Sequence, residues 1–198
     1  MNPKTFLLAG VLAAVAPPAA VGNGSLAGTI CEFPDLGTMT PVPLAPGASP
    51  AAGTGGDIPG GRWELIAARY DNSPLPITGD ARSIIELDGS APTAGMGSLA
   101  LEVSITSPTT DQISETGAGP YSASGTVLNF QNDCGDELLL GSAEYSVDDS
   151  GVDPVMTLWG NYEITDPFPV TILIETEFLL VEPIGVEDPV FSDRFETP

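Results

Sequence analysis

SLALEVSIT, residues 98–106, decides how the rest of the chain is read. Leu99, Leu101, Val103 and Ile105 occupy alternate positions, with Ala100, Glu102 and Ser104 between them. A strand turns successive side chains to opposite faces, so this period of two describes a strand with one oily face. PVTILIETEF, residues 169–178, repeats it: Val170, Ile172, Ile174, Thr176 and Phe178 share one face, Glu175 and Glu177 the other. Weaker versions run over residues 62–70, 81–87, 126–131, 137–146 and 155–165, and GPYSA at 119–123 precedes a Ser124-Gly125 turn. Turn signals such as DNSPLP (71–76), DGSAPTAG (88–95), DDSGVDP (148–154) and TDPFP (165–169) separate the runs, and no stretch carries a helical period.

The expectation is an all-β fold of about eight short antiparallel strands. Joined by tight turns, such strands leave two open sheet edges unless the sheet closes, so an up-and-down eight-stranded barrel is the favoured architecture. Its interior is either filled by side chains or holds one small ligand. A β-sandwich is the alternative; it requires long Greek-key crossovers that the even strand spacing does not suggest.

The flanks differ in texture. Lys4, the apolar run Phe6–Ala16 and the small residues up to Gly22 predict a signal peptide at 1–22, too short to span a bilayer as a helix. Residues 23–61, including PVPLAPGASPAAGTGGDIPGG at 41–61, read as a loosely ordered Pro/Gly-rich connector. The barrel domain is expected at 62–182 and a C-terminal tail at 183–198. In an oxidising compartment an isolated cysteine pair reads as a structural disulfide, here Cys31 with Cys134. The expected location is therefore secreted, periplasmic or at the cell surface.

Composition removes whole classes of chemistry. The chain carries 27 acidic residues, five basic ones and no histidine, a net charge of −22. Nucleic acid and anionic membrane surfaces would be repelled. Without histidine there is no Ser-His-Asp triad and none of the commonest zinc sites, and a chain cut after residue 22 has no lysine for Schiff-base chemistry. Glu175 and Glu177 lie about 7 Å apart by strand rise, within the range of a glycosidase pair, yet on a face expected to be solvated. No cofactor is expected. Asp148, Asp149 and Asp153 surround Gly151 with hard oxygen ligands that calcium could use, but Asp and Gly are equally ordinary hairpin residues.

Gly61-Arg62-Trp63, at the head of the first barrel strand, resembles the Gly-x-Trp signature of the lipocalins. GPYSASGTVLNFQNDCG, residues 119–135, is similar to a hairpin in lipocalin-like domains of exported bacterial proteins. The resemblance covers roughly residues 60–182. It implies a barrel whose tryptophan closes one end, where glycine lets the chain cross beneath it. The chain departs from the pattern in having no arginine at the end of the last strand to stack on Trp63, and no helix after it. Arg69 and Arg82 are the candidate substitutes. The ending VEDPVFSDRFETP, 186–198, is similar to short C-terminal endings of assorted exported proteobacterial proteins, which implies an appended tag read by a partner protein.

The functional expectation is an exported, non-enzymatic β-barrel that binds a small, mostly apolar ligand. Trp63, Leu99, Leu101, Val103, Ile105, Val170, Ile172, Ile174 and Phe178 are the candidate lining. The alternative is a structural or surface-associated acidic module with no ligand, its tail serving interaction or sorting.

Overall fold

The structure, a computed structural model, describes residues 31–71, 73, 76–89, 91–107, 110–135, 141–164 and 170–183. The expected signal peptide and the tail beyond Pro183 lie outside the described residues. So does the side chain of Val170.

Among the described residues ten strands form one sheet: β1 (Val42–Pro46), β2 (Gly61–Asp71), β3 (Thr78–Leu87), β4 (Ala94–Ser107), β5 (Asp111–Ser124), β6 (Val127–Phe130), β7 (Cys134–Gly135), β8 (Ser142–Asp148), β9 (Val155–Ile164) and β10 (Val170–Pro183). Among the described residues there is no helix. Eight of the strands make a ring of antiparallel hydrogen-bonded neighbours, β2-β3-β4-β5-β6-β8-β9-β10, and β10 returns to β2. The all-β, up-and-down, barrel-like arrangement expected from the alternation is present, and the ring keeps the order of the chain, with only the short β7 set aside between β6 and β8. The β10–β2 pairing protects the two edges that an open meander would expose.

Two bulges set which side chains enter the ring. On β2, Leu65 faces Phe178 and Ala67 faces Glu177, leaving Ile66 as the extra residue; on β10, Val181 is extra between Leu180 and Glu182. Both extra residues point outward and are exposed. Because a bulge adds one residue, it reverses the inside–outside parity beyond it. Trp63 and Leu65 point inward before Ile66, and Ala68 and Tyr70 after it. Uninterrupted alternation would have sent Arg69 inside.

Residues 31–60, read above as a loose connector, are instead an ordered belt around the ring. Cys31 is disulfide-bonded to Cys134 on β7, which lies beside β5. Leu36 then packs on Ile84 and Ala100, on the outer side of β3 and β4. β2 and β3 pair with each other only over residues 61–64 and 84–87. Beyond that point β1 fills the gap, parallel to β2 through Leu44, Ala45 and Pro46 and antiparallel to β3 through Val42 and Pro43. The belt continues across β10, where the Ser49 amide donates to Glu175, and reaches β8, where the Gly53 amide donates to Glu144. Gly55 pairs with Ser146, and Ile58 is buried in the core beneath the ring. The chain then enters β2.

Local composition could not announce this order, because the bonds that fasten the belt to the ring go to residues far away in sequence. The crossing under the ring depends on backbone contact: a Cβ on Gly60 would sit 2.7 Å from the Gly89 Cα. At Gly55, φ is +73° and a Cβ would lie 2.3 Å from the Gly125 carbonyl oxygen. Only glycine meets both conditions.

Candidate ligand cavity

The ring is filled at one end and hollow at the other. Trp63, Leu87, Tyr121, Tyr145, Met156 and Phe178 pack together at the end where the belt passes under. The Trp63 side chain is fully buried, and its indole N–H donates to the Pro59 carbonyl at 3.2 Å, tying the tryptophan to the crossing chain. Tyr145 donates likewise to the Gly56 carbonyl at 2.8 Å. Burying one such large side chain contributes roughly 1.5–3 kcal/mol, so this end is the stable floor.

Above the floor lies a partly enclosed cavity of about 110 Å³. Of the residues singled out in the sequence, Leu99, Leu101, Val103, Ile105, Ile172, Ile174 and Phe178 line it. Along β4, Leu99 is buried, whereas Leu101, Val103 and Ile105 are only half-buried although they face inward. Val103 packs against the main core and Ile105 against Tyr70, Ile77 and Ile172, and all three also border the cavity. Trp63 does not line the cavity; it belongs to the floor below. Sequence reading missed Leu44, which completes the wall from β1, and Tyr70 and Ile77, which meet Ile172 near the β2–β3 connection. Leu44 was hidden by its Pro-rich surroundings, and Tyr70 by the bulge at Ile66.

On the outer face, Arg69, Glu175, Glu177 and Trp159 form a second cluster. The face carrying Glu175 was expected to be solvated; the structure corrects this, since Glu175 is only 5% exposed beneath the belt. Its carboxylate accepts the Ser49 amide at 2.7 Å, the Arg69 guanidinium at 2.6 Å and the Trp159 indole N–H at 3.2 Å. Arg69 also donates to Glu177. Burial pushes the Glu175 carboxyl up more than any other single influence. The Ser49, Arg69 and Trp159 hydrogen bonds together outweigh it, and the group is held below its usual range. A carboxyl held ionised in this way is not a general acid, which needs its proton near neutral pH.

Arg82 donates to Glu102 at 2.6 Å and 2.9 Å, so neither substitute arginine turns its guanidinium towards Trp63. An outer cleft of about 310 Å³ between residues 34–37 and β4–β5 contains this same ion pair. Asp148, Asp149 and Asp153 lie exposed on the β8–β9 turn. Asp148 accepts the Ser150 amide at 3.0 Å, and hydrogen bonds from the Ser150 side chain first and its amide second hold the carboxyl below the ordinary value. Among the described residues no group of three or more acidic or sulfur side chains is placed to hold a metal ion.

No known protein family, curated protein or solved structure matches this chain.

Proposed function

We propose that this chain is an exported, non-enzymatic, lipocalin-like barrel that binds a small, mostly apolar ligand above the Trp63 floor. The observation that carries the reading is the cavity of about 110 Å³ walled by Leu44, Leu101, Val103, Ile105, Ile172 and Ile174. Protein interiors are ordinarily packed to the density of organic crystals. A void of this size with an apolar wall costs stability unless something occupies it. The ring of consecutive strands and the glycine-rich crossing beneath Trp63 support the family resemblance. The Cys31–Cys134 bridge is compatible with an oxidising location.

Incubating the purified protein with a bacterial lipid extract, re-isolating it and identifying the bound species by mass spectrometry tests the proposal. A discrete apolar compound should be retained by the wild type and lost from Leu101→Trp, whose indole would occupy the cavity. Retention of nothing, or equal retention by the variant, would remove the reading. Thermal melts of both proteins confirm that the variant is folded.

A further inference from the structure

Of the five polar residues around the cavity, Arg69, Tyr70, Ser83 and Thr176 are engaged by the protein itself, and Asn161 is exposed to water. The Tyr70 hydroxyl donates to the Ile77 carbonyl at 3.1 Å and accepts the Ile77 amide at 2.9 Å. Ser83 donates to the Ala100 carbonyl at 3.0 Å, and Thr176 donates to the Leu158 carbonyl at 3.5 Å. Arg69 borders the cavity, but its side chain lies on the outer face, where the guanidinium bonds Glu175 and Glu177. A polar ligand atom taken inside would lose its water without finding a free hydrogen-bond donor on these side chains, which is strongly unfavourable.

Charge at the hollow end points the same way. Asp71 at the end of β2, Asp80 on β3 and Asp111 at the start of β5 are exposed there. The three described arginines are each held by carboxylates: Arg62 by Glu64 and Glu86, Arg69 by Glu175 and Glu177, Arg82 by Glu102. No cation among the described residues is left at the rim to receive an anionic head group, and the net charge of −22 repels one.

Size supplies the third constraint. Whole drug-sized ligands occupy roughly 300–1,000 Å³, well beyond about 110 Å³. An apolar cavity of roughly 150 Å³ takes up benzene. The space therefore suits a hydrocarbon segment of about four or five carbons, not a complete lipid.

Resting on the ligand-binding reading above, we infer that the cavity takes the plain hydrocarbon end of an uncharged amphiphile and discriminates against anionic lipids such as fatty acids. The hydrocarbon fills the space between Leu44 and Ile174, and the neutral head group stays at the rim in water.

Calorimetric titration of the wild type at pH 8 with 1-octanol, octanoate and 1,8-octanediol tests this. Octanol should bind at least about tenfold more tightly than either competitor: octanoate is repelled by the rim, and the diol must desolvate one hydroxyl. In 1 M salt the octanoate deficit should shrink and the diol deficit should persist, because only the first is electrostatic. Asp111→Arg should raise octanoate affinity several-fold with octanol unchanged. Shorter alcohols should lose about fourfold per methylene while the cavity is being filled, and chains beyond its capacity should gain nothing. Octanoate or diol binding as tight as octanol would overturn the inference and leave the ligand-binding reading standing. Failure of all three to bind, with lipid uptake also unaffected by Leu101→Trp, would sink both.

Discussion

Replacing Glu175 with alanine should loosen the belt from the ring, and the loss can be worked out donor by donor. Trp159 is 9% exposed, so its indole N–H would be left buried without an acceptor. Such a group costs about 1–3 kcal/mol. The Ser49 amide belongs to an exposed residue and would recover water, which limits its share to about 1 kcal/mol. Arg69 keeps Glu177, and a partly exposed ion pair is worth about 0–1 kcal/mol. The expected loss is about 3 kcal/mol for Glu175→Ala, against at most about 1 kcal/mol for Glu177→Ala.

Urea unfolding of both variants, with the slope held common, measures the difference. Limited proteolysis should show new cleavage between residues 47 and 53 in Glu175→Ala alone. The acid side gives a further check. Because the folded pKa of Glu175 is depressed, its contribution is complete above the ordinary carboxylate range near 4.5 and is lost as pH falls through the folded value. The gap between wild type and Glu175→Gln should therefore narrow on acidification. A Glu175→Ala protein no less stable than Glu177→Ala would refute the idea that this carboxylate fastens the belt.

Burial first, and the neighbouring Asp88 charge second, push the Tyr121 phenol up to about 12. Its proton is held longer in the folded chain than in the unfolded one, so stability should fall as pH rises from about 10 and level off near 12. Across that window Tyr121→Phe should lose roughly 2–3 kcal/mol less than the wild type in alkaline denaturation. Changing Cys31 and Cys134 to serine should cost up to about 4–5 kcal/mol in thermal or urea unfolding, since the bridge closes residues 103 apart. If β1 is held chiefly by that latch, hydrogen exchange at Leu44 should rise in the same variant. Phe178→Ala should destabilise by about 3–5 kcal/mol, because the floor around it is tightly packed.

Much of the ring was legible because alternation is a local property. Leu99 to Ile105 and Ile172 to Phe178 reveal their inner face without reference to any partner strand, and the turn residues between runs give the strand order. The candidate cavity was legible to the same extent: seven of the proposed lining residues sit on its wall. The parts that were missed depend on pairing. Arg69 reads as sharing a face with Trp63 and Leu65 until β10 imposes the bulge at Ile66. Glu175 reads as solvated until the belt covers it. Val42–Pro46 reads as linker until β2 and β3 part and leave a gap of strand width between them.

The sequence by itself determined the all-β class, the succession of strands, the two cysteines available to bridge and the exclusion of histidine chemistry. These follow from residue type and from the strand period, which extend over only a few neighbouring positions. Tertiary structure alone decided that the Pro/Gly-rich segment encircles the ring and that the hollow lies at the end opposite Trp63. Each of those outcomes is fixed by contacts between residues distant in the chain, where packing and backbone pairing, not local propensity, select the conformation.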